Sequence, residues 1–199
     1  DTDVTMSPEE LPLDAISQTR IFWTTGTGLS VEPSRTATLA ALDAARGTVI
    51  HDLDYRPSLW ADPGEAGEWQ REALKRATVA VGNVEECSVA VGGGSPEEMA
   101  QRIFELGVGV VIVKQGGEGV TAFVGDRRVH ADPVVVDVVN GLGAGDAFGG
   151  ALCHGLLEGW DWAETIPFAN AAGAYVASQL ACADAMPTEA EVRELMANA

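Results

Sequence analysis

Apolar and polar positions along this chain follow two alternating periods. Short β-branched or apolar runs predict strands at residues 20–26, 48–55, 79–83, 108–114, 120–124 and 134–139. Helical spacing lies between them. One predicted helix opens at Ser7-Pro8-Glu9-Glu10 and ends near Gln18; a second opens at Pro33-Ser34 and runs to about Arg46, before Gly47. Further helices are expected at 68–77, from about Val84, at 96–106 with Ser95 as cap, and at about 162–180 and 188–197, with a loop at 57–67. Strand–helix alternation of this kind implies right-handed βαβ units and a mainly parallel sheet with helices on both faces. Ligands of such sheets lie beyond the carboxyl ends of the strands. Five polar or glycine-rich segments fall at those ends: Thr25-Gly26, Asp52 to Arg56, Asn83 to Glu86, Lys114 to Gly119, and Asn140 to Asp146.

The last of these segments is the most distinctive. The run Val134 to Val139 reads as a buried or nearly buried strand. It stops at Asn140-Gly141-Leu142-Gly143-Ala144-Gly145, and Asp146 then opens a helix with small residues on one side. Glycines let a ligand approach the backbone, and the free N–H groups at a helix start point at an anion. A carboxylate beside such a hole repels a phosphate that is merely bound. It makes sense if it takes a proton from a hydroxyl that attacks a phosphoryl group. Alternatively Asp146 only caps the helix and complements its dipole. Local pattern leaves both readings open.

Composition narrows the classes. Net charge is −18, from 12 basic against 30 acidic residues, which argues against a nucleic-acid or anionic-membrane surface. A hydrophobic content of 46% supports a sizeable core, and the 199 residues fit one α/β domain or somewhat more. No apolar run is long enough to span a bilayer and no signal peptide is visible. Cys87, Cys153 and Cys182 lack metal-ligand spacing and read as small buried residues of a reducing cytoplasm. The chain begins at Asp1 without an initiator Met, as a fragment or a processed product would.

Candidate chemistry lies at the strand ends. Lys114, one of two lysines, ends a buried strand beside glycines and could hold a nucleotide phosphate, or be a solvated strand end. Neither lysine has the context of a P-loop. Asn83 and Glu86 are three apart at a helix start; they could organise Mg²⁺ through its waters, or simply cap the helix. Asp52, Asp54 and Arg56 are expected to alternate along a strand and face one side, with Arg56 suited to a phosphate or carboxylate unless it serves a surface ion pair. His51, His130 and His154 are scattered and read as structural, and Trp60, Trp69, Trp160 and Trp162 as core or interface.

Taken together, Gly143-Ala144-Gly145-Asp146-Ala147-Phe148, Asn83-Val84-Glu85-Glu86, Lys114-Gln115-Gly116-Gly117-Glu118-Gly119 and Asn170-Ala171-Ala172-Gly173 resemble the PfkB (ribokinase-like) carbohydrate kinases in order and spacing. The resemblance implies a three-layer α/β/α fold, ATP and Mg²⁺ as cofactors, and Asp146 as general base. The amides of Gly143, Ala144, Gly145 and Asp146 would form the anion hole. Asn83 and Glu86 would organise the magnesium–phosphate network, and Lys114, Gly116, Gly119 and Asn170 would line the nucleotide pocket. Residues 53–60 and 25–35 look like the 5-dehydro-2-deoxygluconokinase branch of inositol catabolism, in which Arg56, Gly26 and Arg35 would contact an acidic sugar. The implied partners are that sugar and ATP, in a cytoplasmic enzyme that forms a homo-oligomer when full length.

Two departures stand out. The family usually has Asp-Thr-Thr or a similar run before Gly-Ala-Gly-Asp, positions that help build a monovalent-cation site in several members; here stand Asn140-Gly141-Leu142. The resemblance also covers the C-terminal, nucleotide-binding majority of such kinases, without the N-terminal strands, the lid and most sugar contacts. The expectation is an ATP-dependent sugar kinase. Its rivals are another PfkB-type sugar kinase (a fructokinase, ribokinase or 2-keto-3-deoxygluconate kinase) and a nucleotide-binding module without catalysis. A dinucleotide oxidoreductase is disfavoured, since no Gly-x-Gly-x-x-Gly run with its distal acid is present.

Overall fold

The structure is a computed structural model that describes residues 5–198. Six strands form one sheet in consecutive order: β1 (Ile21–Thr25), β2 (Thr48–Asp52), β3 (Val79–Asn83), β4 (Val110–Lys114), β5 (Val120–Val124) and β6 (Arg127–Ala131). Strands β1 to β4 are parallel. Residues 115–119 and Gly125-Asp126 are too few for a parallel crossover, so β5 and β6 join as hairpins. The helices are α1 (Leu13–Gln18), α2 (Ser34–Ala44), α3 (Pro63–Leu74), α4 (Val84–Val91), α5 (Pro96–Phe104), α6 (Ala144–Glu158), α7 (Trp162–Ala177) and α8 (Glu189–Asn198). None of them, among the described residues, is long and apolar enough to cross a membrane.

The chain divides into two compact units, residues 1–114 with 123–127, and 115–122 with 128–199. In the first, each crossover steps to the next strand in the same direction. Right-handed connections therefore place α2, α3, α4 and α5 on one face. There Leu42, Leu74, Met99 and Ile103 pack with Val49, Ala80, Val111 and Val113 in a continuous buried cluster. The second unit is built on α6, α7 and α8, with Leu152, Ile166, Ala169 and Val176 buried.

Several expectations change. The first helix breaks at Leu11-Pro12 into a 3₁₀ turn, Pro8–Glu10, and α1, because Pro12 lacks an N–H and forces Leu11 extended, with ψ 129°. Helix α3 begins at Pro63 rather than residue 68; Asp62 caps it, accepting from the Gly64 and Glu65 amides. Strand β6 was not expected. Strand β2 ends at Asp52, and Asp54 takes a φ of 29°, so Asp52, Asp54 and Arg56 do not alternate along one strand. The largest change concerns residues 134–139, which form no strand. β-Branched residues favour extended backbone, but a ladder also needs a neighbour's N–H and C=O groups. No described strand supplies them, and Val135 and Val138 stand 90% and 72% exposed.

The ends of β1 and β2 are joined by a buried relay. Gln70 Nε2 donates to the Leu53 carbonyl at 2.5 Å, so its Oε1 must accept from His51 Nε2 at 2.6 Å, and Thr24 Oγ1 then donates to His51 Nδ1 at 2.9 Å. Gly26 lies against this relay; a Cβ there would collide with the Leu53 carbonyl and the Gln70 amide. Burial holds the His51 imidazole down to about 4, against the Gln70 hydrogen bond. A lowered value means stability that is complete above about pH 6.5 and lost as pH falls towards 4, roughly 3 kcal/mol in all. Urea unfolding followed between pH 7 and 4.5 should therefore show a shallower pH dependence for His51→Gln than for the wild type.

Candidate active site

In the first unit the strand ends converge as expected for a parallel sheet. Register pairs Thr25 with Asp52, Asp52 with Val81, and Asn83 with Lys114. Alternation then puts Asp52, Asn83 and Lys114 on one face of the sheet at its C-terminal edge. Asp52 Oδ1 is buried without a hydrogen bond, and Lys114 Nζ stands 3.8 Å from it. Burial pushes the Asp52 carboxyl up to about 6; the Lys114 ammonium pulls it down, while Glu86 and Asp54 push it up. A carboxylate so placed is a functional candidate to which sequence reading gave no role of its own. The Asp52–Asp54–Arg56 pattern was its only signal, because burial is a tertiary property.

Asn83 and Glu86 form a reciprocal capping box on α4. The Asn83 amide donates to Glu86 Oε2 at 2.6 Å, and the Glu86 amide to Asn83 Oδ1 at 2.9 Å. Capping is thus one role of the pair, and it orients both side chains. The other Glu86 oxygen is engaged by no described residue. Beyond β2, Thr27 Oγ1 donates to Asp54 Oδ2 at 2.6 Å, and Asp54 holds the Arg56 guanidinium at 3.2 Å. Arg56 keeps 58% of its side chain exposed. A non-glycine residue at positive φ is held there by its surroundings and points to function. Arg35 is placed differently. It donates to the Leu29 and Ser30 carbonyls at 2.7 and 2.9 Å, pairs with Glu65 and lies 4.5 Å over the Trp69 ring, so its Nε and Nη2 donors are engaged within the protein. Gly26 is buried by the relay already described.

In the second unit Gly116 and Gly119 form the turn before β5, both at positive φ. A Cβ on Gly119 would strike the Ala131 carbonyl, and Asn170 Nδ2 donates to the adjoining Asp132 carbonyl at 2.8 Å. Gly119 and Asn170 therefore meet at the same stretch of backbone. Gly143 is the N-cap of α6, left-handed at φ 84°, and offers no side-chain acceptor. The Gly145 and Asp146 amides have no acceptor among the described residues, and the space over Gly145 is open. Asp146 stands in the first turn, exposed, with no described residue engaging its carboxylate. It is not the cap. A cleft of about 330 Å³ opens beside it, lined by Gly150, Ala151, His154, Phe168 and Met186 among others.

An uncapped helix start holding free amides and a free carboxylate within one turn offers donors to an anion and an acceptor to a proton. The chain belongs to the pfkB family of carbohydrate kinases, whose pattern it matches over residues 2–189. It is 31% identical to a 5-dehydro-2-deoxygluconokinase of Clostridium perfringens over 202 residues, 98% of this chain and 60% of that one. Among solved structures, aminoimidazole riboside kinase of Salmonella enterica, complexed with aminoimidazole riboside and an ATP analogue, has a TM-score of 0.84 at 26% identity, over 97% of this chain and 67% of the other. A double mutant of Vibrio cholerae fructokinase with fructose, ADP and potassium bound has a TM-score of 0.83 at 26% identity, over 93% and 64%. These likenesses bear out the three-layer α/β/α, ribokinase-like fold expected from the sequence. The chain spans about 60% of the length of the curated relatives it matches.

The raised Asp52 value has a stability consequence. Ionising this carboxyl in the fold opposes stability, an effect absent below about pH 4 and complete above about pH 6. Asp52→Asn should therefore raise the melting temperature by a few degrees at pH 7.5, a gain of roughly 1–3 kcal/mol, and the gain should vanish near pH 4. Calorimetry across that range checks it.

Proposed function

We propose that this chain carries the nucleotide-binding and catalytic part of an ATP-dependent kinase that phosphorylates a hydroxyl of a sugar acid, with 5-dehydro-2-deoxygluconate as the acceptor. The observation that carries the reading is the free Asp146 carboxylate beside the unpaired Gly145 and Asp146 amides. Asp146 takes the proton of the acceptor hydroxyl as its oxygen bonds to the γ-phosphorus, and the bond from that phosphorus to the β-phosphate oxygen of ADP breaks. The Gly145 and Asp146 amides hold the charge on the transferred group, while the Ala144 amide donates to the Gly141 carbonyl at 3.4 Å. Lys114, Gly116, Gly119 and Asn170 serve the nucleotide.

The donor set suits magnesium held through water. Among the described residues no cluster of three or more His, Cys, Asp or Glu could ligate an ion directly. Asp52 Oδ1 is nevertheless without a hydrogen bond and one Glu86 oxygen is engaged by no described residue, and Mg²⁺ keeps most of its hydration shell. Asp52, Asn83 and Glu86 would hold the ion's waters, and its charge would offset that of the phosphates.

The acceptor assignment draws on the relatives' name and on Arg56. An exposed guanidinium, steadied by Asp54 and Thr27, suits the carboxylate of a sugar acid. The acidity of the chain argues against a nucleic-acid or anionic-membrane partner. Asp146→Asn should lower turnover at least about 1,000-fold while leaving ATP affinity within about threefold; near-normal turnover in that variant would overturn the mechanism. In a panel of acceptors, Arg56→Ala should raise KM for sugar acids at least about tenfold and leave neutral sugars unchanged. Because the chain spans about 60% of its relatives, calorimetry with ATP and Mg²⁺ beside a phosphotransfer assay on these 199 residues distinguishes a kinase from a nucleotide-binding module.

A further inference from the structure

The segment before α6 must set Gly143 in its left-handed conformation and aim the helix start, yet it belongs to no sheet. Residues at and after the end of α7 hold it instead. The Val139 and Asn140 amides both donate to the Ala177 carbonyl, at 2.9 and 3.1 Å. Asn140 Oδ1 accepts from the Leu142 amide at 3.0 Å, turning the backbone into Gly143. Asn140 Nδ2 donates to the Leu180 carbonyl at 3.3 Å. Since Oδ1 must face the Leu142 N–H, the network settles which way the amide points. Cys182 closes the other side, its Sγ lying where a Cβ on Gly143 would be.

The polarity of these contacts decides what can sit between the two loops. A monovalent cation there needs oxygens, from carbonyls or a carboxylate. Asn140 presents an N–H to the Leu180 carbonyl, so the residues of this chain do not fit such an ion. We infer that Asn140 is a positioning residue for the Gly143–Asp146 helix start and that its amide, in place of a monovalent cation, ties the signature turn to the loop after α7. The inference rests on the reading of Gly143–Asp146 as the phosphoryl site. Replacing the N–H by oxygen in Asn140→Asp sets two acceptors face to face, and potassium can then bridge them.

The test compares KCl, NaCl and tetramethylammonium chloride at equal ionic strength. Wild-type turnover should agree within about twofold in all three. Asn140→Asp should lose at least about tenfold in tetramethylammonium and regain most of it in KCl, whereas Asn140→Ala should lose a similar amount that no salt restores. Melting temperatures without substrate give a readout independent of catalysis: a potassium-specific rise in the Asp variant and none in the wild type. Potassium stimulation of the wild type by fivefold or more, on the order of 1 kcal/mol, overturns the inference, as does full potassium-free activity of Asn140→Asp. If a variant does not fold, the wild-type salt comparison decides alone. If the wild type phosphorylates no acceptor, the kinase reading fails, and the melting series still decides the role of Asn140.

Discussion

Two backbones can meet side by side at a sheet edge only if one yields its side chain and their polar groups are satisfied together. Here Gly26 yields, and Gln70 and His51 satisfy the Leu53 carbonyl and the Thr24 hydroxyl in one buried chain of hydrogen bonds. That relay sets how the chain leaves β1 and β2. It is followed at once by the turn carrying Thr27 and by Asp54, whose positive φ turns the chain towards Arg56. The exposed guanidinium is thus positioned by half-buried groups that follow directly on the buried relay.

The same edge contains a local conflict. Asp52 is a carboxylate with an orphaned oxygen, near two other acids and 3.8 Å from its nearest cation. A fold selected for stability alone would place a neutral residue there. Arrangements of this kind accumulate where charge must be ready before a ligand arrives. Asn83 and Glu86 form a capping box that steadies α4 and leaves one carboxylate oxygen engaged by no described residue.

The second unit solves a different problem. A helix start that offers its amides to an anion must go without a side-chain cap, so something else has to fix its direction. Asn140, just before α6 and hydrogen-bonded to the Leu180 carbonyl, and Cys182, in the loop after α7, do this, and α7 supports the start directly, with Gly173 allowing close approach to the Ala144 carbonyl (3.1 Å from a Cβ position).

Much of this was legible in the residues. Alternating periods located β1 to β5 and most helices, since a buried stripe imposes its repeat on the sequence wherever the element is long enough. The glycines and the acid of the signature turn marked a candidate site, although the local pattern was equally compatible with a capped helix. What the residues withheld was whatever depends on a neighbour. Val134 to Val139 have strand composition but find no paired edge, so the run lies outside the sheet. Arg35 and Arg56 look alike in sequence, yet one is locked by two carbonyls and a carboxylate while the other stays exposed. Asp146 could have been a cap until Gly143 was found in that position. By itself the sequence determined which groups were available and the order in which the chain presents them. Only the tertiary structure decided which of those groups are left unpaired, because pairing is settled by contacts between residues far apart along the chain.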